Sequence, residues 1–155
     1  MTGQPYLPFR KRHTVLLIGH GLGGLKRVAF SLQRSGHSII WADDGVAGLR
    51  TAEAERPDLI ICETVLVDVS GFDVCHKIKS SLLPNTPLVL MGRLGDEPTD
   101  LPRAFRAGAD DYFAKIMDWH LVLEKLQALV PMKAMKPAHA YSTTRTAETA
   151  EICFE

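Results

Sequence analysis

Five short apolar runs recur along this chain, each followed by a stretch of different periodicity, and that alternation limits the folds open to it. The runs are residues 14–18 (TVLLI), 38–42 (SIIWA), 58–62 (DLIIC), 87–91 (PLVLM) and 111–114 (DYFA). Most are rich in Val, Ile and Leu, and apolar at successive rather than alternate positions. Strands of that kind are covered on both faces, as in a parallel sheet with helices on either side.

The intervening segments supply the helices. Leu22, Leu25, Val28, Ala29 and Leu32 fall at helical spacing over 22–35, and Gly36 stops the run. Weaker faces cover 46–56, through Val46, Leu49, Ala52 and Ala54, and 71–80, through Phe72, Val74, Cys75 and Ile78. Asp118 is a suitable N-cap for a helix over 118–130 that carries Trp119, Val122, Leu123, Leu126 and Leu129. The fourth slot, DEPTDLPRAFRAG, contains Pro98 and Pro102. A proline inside a helix removes a hydrogen bond and clashes with the preceding turn, so a short helix starting near Leu101, or an irregular loop before it, is expected. Five βα units predict an α/β domain of the flavodoxin-like (βα)5 kind, a doubly wound parallel sheet of strand order 2-1-3-4-5. Such sheets work in the crevice beyond the carboxyl ends of their strands. Here that crevice is built from residues 19–21, 63–64, 92–93 and 115–116.

Bulk properties narrow the function classes. A chain of 155 residues suits one domain with a real core. Eighteen basic residues balance eighteen acidic ones, so charge gives no reason to expect nucleic acid or an anionic membrane as partner. No apolar run approaches the ~20 residues of a membrane span, and the N-terminal segment has no signal-peptide pattern. Cys62, Cys75 and Cys153 are odd in number and form no metal pattern; Cys62 reads as a buried small hydrophobe. These signs together predict a cytoplasmic protein. Residues 1–12 read as a flexible basic arm, 13–130 as the domain, and 131–155, where periodicity is lost, as a disordered tail.

Two readings of the crevice compete. Gly19, Gly21 and Gly24 spell G-x-G-x-x-G after a strand and before a helix, and Asp43 and Asp44 end the second strand. That is the fingerprint of a dinucleotide-binding turn, with pyrophosphate at a helix N-terminus. Against it, a dinucleotide normally needs six strands in two halves, and no substrate domain follows the five present here.

Three blocks carry the second reading. The segment RPDLIICETVLVDVSGFDVCHKIK, residues 56–79, resembles the third strand, loop and helix start of response-regulator receiver domains. AFRAGADDYFAK, residues 104–115, is similar to that family's A-G-A-D-D-Y block, and WADDG, residues 41–45, to its turn after the second strand. The resemblance covers about residues 14–130.

The resemblance implies phosphoryl transfer to an aspartate, with an acid pair for Mg²⁺, a hydroxyl residue and a lysine around it. This chain departs from that pattern. The acid pair aligns with Gly19 and His20, the phosphoacceptor with Glu63, the hydroxyl residue with Gly92, and only Lys115 is retained. The expectation is a degenerate, pseudo-receiver domain without catalytic residues, metal or cofactor. An ion pair between Glu63 and Lys115 is expected across the crevice floor, and it would also be the device if the domain were fixed in one state. Glu63 carries a charge of −1, against about −2 for a phosphoryl group. Tyr112 aligns with the family's switch aromatic. Arg106, Tyr112 and Trp119 fall on the family's signalling face, made of helix 4, strand 5 and helix 5. The implied function is that of a stand-alone signalling module in a two-component or phosphorelay context. It would bind a protein partner, such as a kinase or other signalling protein, or a second copy through that face. Phosphorylation at Glu63, and nucleotide or anion binding at the Gly19–Gly24 turn, are the alternatives.

Overall fold

A computed structural model of the chain describes residues 12–20, 24–92, 100–113, 124, 128 and 129. Its element order is β1 (Thr14–Ile18), α1 (Gly24–Arg34), β2 (Ser38–Ala42), α2 (Gly45–Glu55), β3 (Leu59–Glu63), α3 (Gly71–Lys77), β4 (Leu88–Met91), α4 (Asp100–Arg106) and β5 (Asp111–Phe113). After α3 the chain continues through a π-helical turn, Ile78–Leu82. All strand pairs are parallel, and the sheet order is β2-β1-β3-β4-β5, as the alternating pattern predicts.

The successive apolar residues divide between the two faces of the sheet. Val15, Leu17, Leu59, Ile61, Val89, Met91 and Phe113 pack against Leu25, Val28, Ala29 and Leu32 of α1. Leu16, Ile18, Ile60, Cys62, Leu88 and Leu90 pack on the other side against α2, α3, the π-helical turn and α4, through Ala52, Phe72, Val74, Cys75, Ile78 and Ala104. Side chains of a strand point alternately to opposite faces, so a strand with both faces covered needs an apolar residue at every position. This is the reason for the two-sided core.

The structure corrects some of the expected details. β2 is an edge strand, and its Trp41 is 40% exposed, so it lacks the full cover expected of it. β3 runs one residue further than the apolar run suggests and ends on Glu63 rather than Cys62. The fourth helix, by contrast, is the short one expected near Leu101: it spans Asp100–Arg106, with Pro102 in its first turn, where a missing N–H costs no intrahelical bond. Arg12 is exposed, and its Nε donates to the Gly36 carbonyl at 3.0 Å. The rest of the expected arm, the 131–155 tail and most of the expected 118–130 helix lie outside the described residues. Among the described residues no helix is long and apolar enough to cross a membrane.

Candidate functional site

The carboxyl ends of β1, β3 and β4 lie side by side in the sheet. Gly19 follows β1, and its N–H donates to the Ala42 carbonyl at 2.9 Å, tying the end of β1 to the end of β2. Its φ of +151° lies where side-chain-bearing residues are strained. Thr64, just past β3, donates its N–H to the Met91 carbonyl at 3.0 Å. Gly92, just past β4, is buried and donates its N–H to the Phe113 carbonyl at 2.8 Å. These main-chain bonds set the floor of the crevice.

Glu63 is half-buried at the end of β3. Its side chain is turned across the end of β1. A methyl group on Gly19 would stand 2.6 Å from Glu63 Cδ and 2.8 Å from its Cγ, and closer still to Oε1. The main-chain N–H of His20 donates to that Oε1 at 3.2 Å. The site therefore brings Gly19, His20 and Glu63 together, and Gly92 follows the end of the neighbouring strand β4. Lys115, the expected partner of Glu63, lies outside the described residues, as do Trp119, Arg93 and residues 21–23 of the glycine turn.

The chain after Glu63 is held by its backbone and by Asp68. The N–H of Gly71 donates to the Thr64 carbonyl at 2.8 Å, and Ser70 caps α3 through the Phe72 N–H at 3.0 Å. Asp68 accepts from the N–H groups of Gly45, Val46 and Val69 at 2.8, 2.9 and 2.8 Å. Those bonds, led by Val46 and Gly45, hold its carboxyl below the usual carboxylate range. Asp44 caps the same helix, accepting from the Ala47 N–H at 2.8 Å. Asp68 therefore ties the loop after β3 to the start of α2. Sequence reasoning missed this role, because its main partners lie 22 and 23 residues away.

The ADDY block also has a structural use. Asp110 accepts from the Leu88 N–H at 2.8 Å and from Lys79 Nζ at 2.8 Å, joining β4, β5 and the turn after α3. Tyr112 is half-buried and Arg106 exposed. Cys62 is buried, and burial pushes its thiol pKa well up. Burial likewise pushes Cys75 up to about 12, so both are held as inert thiols.

A hard dication takes several oxygen ligands, with carboxylates foremost. At the ends of β1, β3 and β4 the described residues offer one carboxylate, that of Glu63. Among the described residues no group of three or more His, Cys, Asp or Glu is placed to hold a metal ion. This set does not fit the Mg²⁺ site that the resemblance implies.

Comparison with known proteins gives a consistent result. The family model for the response regulator receiver domain matches residues 23–127. The alkaline phosphatase synthesis transcriptional regulatory protein PhoP of Bacillus subtilis is 34% identical over 101 residues, 65% of this chain and 41% of that protein. Protein PilH of Pseudomonas aeruginosa is 23% identical over 116 residues, 75% of this chain and 96% of that protein. A putative response regulator from Chloroflexus aurantiacus shares the fold, with a TM-score of 0.72 at 23% identity over 78% of this chain and 99% of its own. The chain spans less than half the length of the transcriptional regulators it matches.

Proposed function

Because this chain belongs to the response regulator receiver domain family, we propose that it is a receiver that signals without being phosphorylated, as a protein-interaction module in a two-component or phosphorelay context. One observation carries the reading. Where the family resemblance implies an acid pair, an aspartate and a hydroxyl, the strand ends carry Gly19, His20, Glu63 and Gly92, and the one carboxylate is turned over Gly19. Phosphoryl transfer to a carboxylate depends on positioning and on neutralising charge, and errors of ~1 Å can cost ~100-fold in rate. Glu63 has one more methylene than aspartate, and its Oε1 lies within reach of the His20 N–H.

Output then comes through a surface. Leu101 and Phe105 of α4 are 47% and 51% exposed, beside exposed Arg106. Exposed apolar residues bordered by charge are what a protein partner buries. This supports the face of α4 and β5, with Arg106 and Tyr112, as the contact for a signalling protein or a second copy.

The test is incubation of the full chain with radiolabelled acetyl phosphate and Mg²⁺. No stable label is expected. A Mg²⁺-dependent labelled product that disappears in Glu63→Ala would overturn the reading in favour of a conventional phosphoacceptor.

A further inference from the structure

We propose that Gly19 is the positioning residue of this site: the absence of a side chain there is what lets Glu63 lie over the end of β1 and take the His20 N–H. The inference deepens the reading above, since it says what fills the region where the resemblance implies an acid pair.

Three observations converge on it. An added Cβ at 19 would stand 2.6 Å from Glu63 Cδ and 2.8 Å from Cγ, far inside van der Waals contact. The three nearest atoms it would meet all belong to the Glu63 side chain: they are Oε1, Cδ and Cγ, and none of them is backbone. The third is the bond itself, in which Glu63 Oε1 accepts from the His20 N–H at 3.2 Å. A carboxylate is a strong acceptor for such a donor.

The consequence is mutual exclusion. One volume cannot hold both the Glu63 side chain in this position and any side chain at 19. A side chain at 19, such as the acid the resemblance implies, and a glutamate lying across β1 from 63 are therefore alternatives. Gly19 also has φ +151°, and that strain would penalise a side chain there whatever Glu63 did. The two effects separate cleanly. Strain at 19 is independent of residue 63, whereas the steric effect disappears when Glu63 is shortened.

The experiment is a double-mutant cycle in the full chain, with Gly19→Ala, Glu63→Ala and the pair, read by thermal unfolding and by exchange of the His20 amide in NMR spectra. Gly19→Ala is expected to lower Tm in both backgrounds, because the backbone strain is common to them, and by roughly 1–2 °C more when Glu63 is present, since its side chain must then swing off β1. The His20 amide should exchange roughly tenfold faster in Glu63→Ala. It should stay protected in Glu63→Gln, which keeps an acceptor oxygen at the same reach. Equal Tm losses in the two backgrounds would overturn the proposal, leaving Gly19 a backbone requirement only. If Gly19→Ala does not fold alone, folding of the double variant supports the coupling. If neither folds, the Glu63→Ala and Glu63→Gln exchange rates decide, and unchanged exchange in Glu63→Ala overturns it. No phosphodonor enters either readout. A labelled Glu63 would therefore sink the proposed function while leaving this coupling to stand or fall by itself.

Discussion

At Gly71 there is no room for a methyl group. A Cβ there would stand 2.7 Å from Thr64 Cα and 2.9 Å from the Glu63 carbonyl carbon, and closer still to the Glu63 carbonyl oxygen. Unlike the far end of a flexible side chain, those atoms are backbone fixed by the ladder to β4, so they cannot move aside. Gly71→Ala should cost on the order of 3 kcal/mol, measured by denaturant unfolding. It should also displace Glu63, because α3 begins against that residue's carbonyl. Two glycines thus bear on Glu63: Gly71 at its main chain and Gly19 at its side chain. The position of the carboxylate depends on two absent side chains, which a search for donor residues would pass over.

Elements are joined here mainly at their ends. α2 starts on two carboxylates, with Asp44 on the Ala47 N–H and Asp68 on those of Gly45 and Val46. The first N–H groups of a helix have no intrahelical partner, and acids there also meet the positive end of the helix dipole. Loss of the cap in Asp44→Ala should destabilise the domain by about 1 kcal/mol in urea unfolding. Asp68→Ala should do more than loosen α2, since Asp68 also fastens the loop that leaves Glu63. The expected signature is faster amide exchange in residues 64–70 as well as at Gly45 and Val46, whereas Asp44→Ala should affect Ala47 and its neighbours alone. The length of α4 follows from local chemistry. Pro102 is tolerated in the first described turn of the helix, and Gly108, at φ +97°, closes the turn that follows it.

At the scale of the whole molecule, the two ends of the sheet are built for different work. The carboxyl end holds the crevice, and the amino end holds a histidine pair. His37 is buried and stacks on His13 at 5.5 Å between ring centroids, and its Nδ1 accepts the His13 N–H at 2.9 Å. Burial first, then the neighbouring His13, lowers its pKa from 6.5 to about 4; Arg12 acts in the same direction and Asp58 opposes them. Between these values the unfolded chain binds a proton that the folded chain does not. The contribution of His37 to stability is therefore full above about pH 6.5, falls as the pH drops, and levels off below about 4. Urea unfolding across that window should show the fall, and His37→Asn, which keeps an acceptor near the Nδ1 position, should flatten it relative to the parent. The amino-acid sequence by itself determined the βα alternation, the sheet order and which residues follow the ends of β1, β3 and β4. Each of those follows from local periodicity and from the rule that function sits beyond the carboxyl ends of parallel strands. Only the tertiary structure decided that Glu63 lies over Gly19, that Asp68 holds α2, and that Asp110 joins β4 to β5. Those contacts close between residues 22 to 43 positions apart, and they depend on how strands and helices sit in space, which no local pattern of residues encodes.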